Sequence, residues 1–313
     1  MTRARIAIAP SIFTITLVIA VGLAGAIISY THGQNAKNAE LAATVLMDRA
    51  LETIDLRISA LVEPIDSTVR QSRFWLSLNE PPSYAGHPLR AHMVSLLREM
   101  PQASSVFVGF EQGDHYQVAS AAHRTAEVMS DRGAPPDTAY QETVILRSGR
   151  AKPLALVRFL DAQGGILATR FTPENDYDPR GRPWYELARG SDEVVRTDVY
   201  HFAMSTKLGV SVARRFEQGV VGVDVTLDEL TAFLDAVPQA RDGVVALFHD
   251  DGRILTHSRL APRGAAGDAD ASGDRRAKLE HLVTRLAGDP LLRALKVDVG
   301  GHAWLVRRDP VDL

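Results

Sequence analysis

The hydrophobic pattern changes its period along the chain, and each change marks a different element. Ile6 to Tyr30 (IAIAPSIFTITLVIAVGLAGAIISY) runs for 25 residues without a charge. At about 1.5 Å per residue this is about 37 Å of helix, enough to cross a hydrocarbon core of about 30 Å with some tilt. The pattern predicts a membrane-spanning helix over 6–30. Pro10 falls in its first turns, where a lost backbone donor is tolerated, and Tyr30 suits the far interfacial belt. Arg3 and Arg5 precede the span and the next basic side chain is Lys37, so residues 1–5 are expected to stay cytoplasmic and the rest of the chain to lie outside. A cleaved signal peptide shares the charged start and the apolar stretch, but this stretch is long for one and no small-x-small site comes after it.

From Gln34 to Leu78 the period becomes helical and amphipathic. Ile54, Ile58, Leu61, Ile65 and Val69 recur at three or four residues with polar side chains between them, and no glycine occurs there after Gly33. A stalk over 31–80 is expected, leaving the bilayer and bracing the domain beyond it, with a kink at Pro64. The competing reading is an ordinary core helix broken in two at Pro64. Pro81, Pro82 and Gly86 form a break, and His87 to Met100 reads as a second helix with Met93, Leu96, Leu97 and Met100 on one side.

Beyond residue 100 the runs are short, apolar or alternating. Strands are expected at 106–110, 116–119, 154–160, 166–171, 209–216 and 219–225, with DAQGG (161–165) as a hairpin turn. Thr226, with Glu229 three residues on, opens a helix through Ala236 as a capping box. These elements form an α+β unit over 81–238. A second unit over 239–313 begins with strands at 244–248 and 253–257 about the turn HDDG, then a Gly, Ala and Asp-rich loop at 262–274. It continues with a helix over 275–296, interrupted near Gly288 and Pro290, and a strand at 300–307. Its sheet has fewer strands than independent stability usually needs, so the second unit is expected to be incomplete, from a fragment or an interrupted reading frame.

Composition narrows the function classes. The chain has 313 residues, 45% of them hydrophobic, which suffices for one large or two ordinary domains and excludes disorder throughout. The net charge is −3, from 35 basic and 38 acidic residues; removing Arg3 and Arg5 leaves −3 − 2 = −5 on residues 31–313. This gives no electrostatic footprint for nucleic acid or for a basic lipid-binding patch. With no cysteine, disulfides, thiol catalysis and thiolate metal sites are absent. There is no HExxH, no GxSxG elbow and no Walker loop, so no metal, cofactor or reaction is nominated. Asp250 and Asp251 beside Gly252 read as turn residues.

The most informative stretch is FTPENDYDPRGRPWYELA (171–188). Within nine positions Tyr177, Asp178, Arg180, Arg182, Trp184 and Tyr185 supply two guanidinium groups, an indole, two phenols and a carboxylate. Arginine offers a planar donor fork for carboxylate, and aromatic faces stack on a ligand body or its cation. The plain alternative is that Arg180 pairs with Asp178 and the aromatic side chains fill core.

Over residues 31–308 the chain resembles the double Cache sensor family, extracytoplasmic domains of bacterial transmembrane receptors. The resemblance is carried by YDPRGRPWY, by TDVYHFAMSTKLGVSVARRF and by GVVGVDVTLDEL, and the wording is most like members attached to nucleotide cyclases. It implies an α+β fold with an N-terminal transmembrane helix, a long stalk helix and two PAS-like antiparallel-sheet modules. In members that bind amino acids, the residues matching Arg182, Trp184 and Tyr185 clamp the ligand carboxylate, the one matching Tyr177 belongs to the same set, and the one matching Asp224 holds the ammonium. Two residues after Tyr200, where those members carry a second aspartate, this chain has Phe202, which turns the expectation toward a plain or apolar-tailed carboxylate. Tyr200 and Lys207 are candidates for the pocket mouth, and His201, though beside them, reads in preference as a surface or packed histidine.

The resemblance also implies a receptor in the cytoplasmic membrane with residues 31–313 outside, a homodimer through the stalk, and a cytoplasmic output beyond Leu313, with a nucleotide cyclase first and kinase, diguanylate cyclase or chemoreceptor outputs open. The rivals are a membrane-anchored hydrolase using Asp178 or Asp224 as acid or base, and a structural assembly module with a vestigial pocket.

Overall fold

Helix α1 is a single element of 69 residues, Ile8–Leu76, and it runs through Pro64 without ending. The structure, a computed structural model, describes residues 8–76, 88–124, 126–147, 149, 152–173, 176–205, 207–235, 245–248, 254–257, 279, 281–284, 294–299 and 302–307. The tail 1–5, the break at 81–86, the HDDG turn and the loop 262–274 lie outside the described residues. Contacts divide the chain into two units, Met1–Glu52 with Ala294–Arg307, and Thr53–Arg293 with Arg308–Leu313.

In the first unit, α1 is long and apolar enough to cross a membrane, and its apolar side chains face outward, with Leu23 63% and Ile28 66% exposed. A helix with this surface needs an apolar solvent or partner around it. The same unit holds a hairpin, numbered here β12 (Ala294–Val299) and β13 (His302–Arg307), paired from Ala294 with Arg307 to Val299 with His302. This corrects the helix expected over 275–296. Residues 281–284 are helical, but Ala294 to Lys296 are strand. Leu295, Val297 and Val299 alternate with Lys296 and Asp298, a period of two that ends in the sequence at a Gly-Gly pair.

The second unit is built on one antiparallel sheet. Its strands are β1 (Ser105–Phe110), β2 (His115–Ser120), β3 (Tyr140–Leu146), β4 (Leu154–Leu160), β5 (Ile166–Pro173), β6 (Val195–Arg196), β7 (Tyr200–His201), β8 (Leu208–Phe216) and β9 (Gly219–Thr226). They lie in the order β5-β4-β3-β2-β1-β9-β8-β6, with β7 also on β8. The expected hairpin at 161–165 forms: Asp161 Oδ1 accepts from the amides of Gln163 and Gly165, and Gly164 takes φ +86°, which glycine adopts without strain.

One face of the sheet is covered by α1 and by α2 (Leu89–Glu99), whose Leu89, Met93, Val94 and Leu97 are buried. The α1 stripe expected to face a core does so: Ile54, Ile58, Ile65 and Val69 are buried, and Leu61 packs partly against the same cluster. Each buried aliphatic side chain contributes about 1.5–3 kcal/mol. The other face carries a smaller cluster of Phe107, Trp184, Tyr185, Ala188, Ala213 and Val220. Because β9 is covered on both faces, every residue of GVVGVDVT is buried, which is why it reads as an almost continuous apolar run.

Strand β3 is absent from the sequence expectation, since YQETVIL has three polar residues in succession. Glu142 at its centre is fully buried and fully engaged. Arg90 of α2 holds it through two bonds of 2.9 and 3.0 Å, Arg158 of β4 donates at 2.8 Å and the Tyr116 hydroxyl at 2.6 Å. Burial alone would raise its pKa, but these donors hold the carboxyl below the usual carboxylate range.

Helix α5 (Leu227–Asp235) starts as expected, with Thr226 Oγ1 accepting from the Glu229 amide at 3.3 Å. The Glu229 carboxylate does not complete a capping box; it meets His123 Nδ1 at 2.8 Å. Beyond α5 lies a two-stranded sheet of β10 (Ala246–Phe248) and β11 (Ile254–His257), and Thr231 of α5 hydrogen-bonds Thr256 of β11.

Replacing Glu142 with Gln should destabilise this unit by about 3 kcal/mol, because the buried Arg158 and the half-buried Arg90 lose their shared counter-ion. Equilibrium denaturation reads this directly; a loss below about 1 kcal/mol would show that the network contributes little.

Candidate ligand-binding site

The site is assembled where a proline-punctuated turn crosses the face of the sheet opposite α1 and α2. Asp178 and Arg182 each precede a proline, which disfavours helical backbone at both, and both are extended (φ −120°, ψ 117° and φ −96°, ψ 145°). Between them Pro179–Gly181 form a 3-10 turn capped by Asp178, and Pro183 begins α4 (Pro183–Ala188). Asp178 also holds the Arg180 guanidinium at 2.9 and 2.7 Å. That pair lowers the Asp178 pKa, chiefly through the Arg180 hydrogen bond. Asp178 and Arg180 therefore shape the turn, and Asp178 is a poor acid for hydrolysis.

Arg182, Trp184, Tyr177, Tyr200, Phe202 and Asp224 line one cavity of about 40 Å³. Trp184 is buried over Phe107, ring centres 4.6 Å apart. Gly109 of β1 leaves room for it, since an added Cβ there would lie 2.6 Å from the indole. Gly209 plays the same part beneath the Phe202 ring. Burial raises the pKa values of Tyr177 and Tyr200, with the Asp224 charge adding to both, so both phenols stay protonated as donors.

Arg182 faces inward. Its Nη2 donates to the His201 carbonyl at 2.9 Å and its guanidinium carbon lies 5.6 Å from the Tyr200 ring centre. It forms no salt bridge with a carboxylate among the described residues. Lys207 lines the same cavity and pairs with Asp228 at 2.5 Å. His201 is exposed and contributes its backbone carbonyl. Tyr185, expected beside Arg182, instead lines a separate groove with Glu111, Arg189 and Arg215. Successive residues of a helix point about 100° apart, so Trp184 and Tyr185 cannot both face one cavity squarely.

Asp224 is the buried anion of the site. Register places it in β9 directly between Ser105 of β1 and Ser211 of β8. Ser105 Oγ donates to Oδ2 at 2.8 Å and Ser211 Oγ to Oδ1 at 2.5 Å. Behind them stand Gln117, whose Nε2 donates to Ser105 Oγ at 2.9 Å, and Tyr200, whose hydroxyl is 2.6 Å from Ser211 Oγ. Burial pushes the Asp224 pKa up to about 7, and the two hydroxyls and the Arg182 charge only partly oppose it. The expected permanently ionised clamp is thus poised near neutrality. Two of a carboxylate's roughly four acceptor positions are used, and no cation among the described residues pairs with it directly.

Ser105, Ser211, Gln117 and His115 carry no signal of their own in the sequence. His115 is neutral and buried; burial lowers its pKa to about 3, and its ring lies 4.9 Å from that of Tyr177. The available hint for the serines is a polar residue inside an apolar strand, in SVFVGF and GVSVARRF, but only pairing shows that they flank one carboxylate.

No protein-family model matches the chain. Adenylate cyclase 1 of Rhizobium meliloti (strain 1021) is 30% identical over 235 residues, covering 70% of this chain and 34% of that protein. The methyl-accepting chemotaxis protein McpG of Pseudomonas putida is 31% identical over 124 residues, 39% of this chain and 20% of that protein. The sensory domain of the Campylobacter jejuni chemoreceptor Tlp3 superposes with a TM-score of 0.48 at 12% identity, over 85% of this chain and 89% of that one. In sequence the chain is therefore similar to part of a cyclase and to part of a chemotaxis protein, in keeping with its resemblance to Cache-type sensor domains. It spans about a third of the length of the cyclase and a fifth of that of the chemotaxis protein.

The raised Asp224 pKa carries a stability signature. An acid whose folded pKa lies near 7, above its unfolded value near 4, contributes stability that is full below about pH 4 and lost as pH rises through about 7. Asp224→Asn should remove that slope and exceed the parent protein in stability at pH 8 by on the order of 2–4 kcal/mol. Denaturation at pH 5 and pH 8 measures it, and an unchanged slope in the variant would place the titrating group elsewhere.

Proposed function

We propose that the chain is the sensing part of a receptor in the cytoplasmic membrane, crossing it once within the given residues, with residues 31–313 outside, and that it binds a small carboxylate or amino-acid-like molecule. The observation that carries this reading is one cavity holding both a guanidinium, Arg182, and a buried carboxylate, Asp224, neither salt-bridged within the described protein. A molecule with a carboxylate at one end and an ammonium at the other complements both. Trp184, Tyr177 and Tyr200 supply faces and hydroxyl donors between them, and Phe202 adds apolar surface where a second acid would favour the ammonium. Tyr185, facing the other groove, supports Trp184 rather than touching the ligand.

A cavity of about 40 Å³ is far below the roughly 150 Å³ that accepts a benzene-sized molecule. Ligand entry therefore requires the cavity to widen, and binding selects the wider state. The change has a continuous route to α1. Ser211, bonded to Asp224 through its hydroxyl, donates its amide to Thr197 Oγ1 at 3.0 Å; the adjacent Arg196 donates to Asp66 of α1 at 2.6 Å. In this reading the stalk pairs with a second copy, residues 239–313 belong to a second PAS-like module, and the output is a cytoplasmic domain, a nucleotide cyclase first.

A thermal-melting screen of the full chain in detergent against amino acids, organic acids and amines tests the reading. Arg182→Ala should lose at least tenfold in affinity for carboxylates while staying folded; binding equal to the parent protein would remove the carboxylate clamp. Phe202→Asp should raise amino-acid affinity tenfold or more, as expected when a desolvated charge gains a partner.

A further inference from the structure

Resting on that sensing reading, we propose that the cavity is built for an amino acid carrying a second carboxylate, with the side-chain anion held by Arg124. Arg124 lines the same cavity as Arg182 and Asp224. It comes directly after the 3-10 turn Ala121–His123 at the end of β2, away from the turn that carries Arg182. Its Nη1 donates to the neutral amide oxygen of Gln141 at 2.5 Å, and it has no salt bridge among the described residues.

The surroundings of Arg124 add positive charge rather than cancel it. Arg132 lies close enough to repel it, and burial together with that repulsion lowers the Arg124 pKa to about 10. Arg132 itself donates at 3.0 Å to the carbonyl of Met204, which lines the cavity. Arg124 and Arg182 thus reach one cavity from different elements of the chain.

Charge matching then selects the ligand class. With Lys207 paired to Asp228 and His123 to Glu229, the walls contribute Arg182 and Arg124 as positive and an ionised Asp224 as negative, one net positive charge. A neutral amino acid satisfies Arg182 and Asp224 but leaves Arg124 without a counter-ion in a partly desolvated site. An acidic amino acid, with net charge −1, satisfies all three. A buried unpaired charge is unfavourable enough to set this preference.

The test compares isosteres that differ in charge. Binding of L-glutamate and L-aspartate is measured against L-glutamine and L-asparagine by thermal shift and calorimetry on the full chain in detergent. The expected result is at least tenfold tighter binding of the acid in one or both pairs. Arg124→Gln should lower the acid-to-amide affinity ratio at least tenfold, and Arg124→Lys, which keeps the charge, should retain part of it; circular dichroism and melting of each variant confirm the fold. Amides binding as tightly as acids, or a preference unchanged in Arg124→Gln, overturn the second anion site and leave the sensing reading intact. No binding of either class, with Arg182→Ala indistinguishable from the parent across the wider screen, overturns both.

Discussion

A carboxylate buried on the central strand of a sheet, held by two hydroxyl groups and no cation, is the constraint around which the binding face is arranged. Asp224 is accessible to the cavity only because β9 lies between β1 and β8 in a register that sets Ser105 and Ser211 on either side of it. Those hydroxyls ease the desolvation of the carboxylate without neutralising it, so its pKa stays near 7. Tyr200, Gln117 and the Arg182 turn are organised around that incomplete solvation. Each either supports a serine or supplies charge across the cavity.

The sheet holds a second buried acid for comparison. Glu142 lies on the helix-covered side with two arginines and a tyrosine, and its pKa is depressed. Burial acts on both acids in the same direction, but at Glu142 direct charge-assisted hydrogen bonds outweigh it, whereas at Asp224 neutral donors do not. One acid ties α2 to the sheet. The other retains unused capacity for a cation, which is the physical difference between a stabilising network and a recognition group. Arg124, a partly buried guanidinium facing the same cavity with only a neutral partner, is the cationic counterpart of that condition.

Much of the local architecture was legible along the chain. The α1 stripe of Ile54, Ile58, Leu61, Ile65 and Val69, the strands from Val106 to Val225 and the hairpin at Asp161–Gly165 depend on side-chain period and turn chemistry, which act within a few residues. The backbone of DPRGRPW was legible for the same reason, since each proline restrains itself and the residue before it. Strand β3 was hidden because Gln141, Glu142 and Thr143 break the apolar pattern, and their burial depends on Arg90 and Arg158, which come from other elements. At Ala294–Lys296 a helical expectation carried forward from the preceding residues overrode the alternation that the strand obeys.

Side-chain period and turn chemistry set α1, α2, α5 and most of the long strands of the sheet, and they show which residues bear charge and aromatic surface, because those properties belong to short segments and to side-chain chemistry. Tertiary structure alone decided that Ser105 and Ser211 flank Asp224, that Tyr185 turns to another groove while Trp184 faces the cavity, and that Arg124 joins Arg182 in one site. These outcomes depend on strand register, helix rotation and shared desolvation, which arise only when distant segments are brought together.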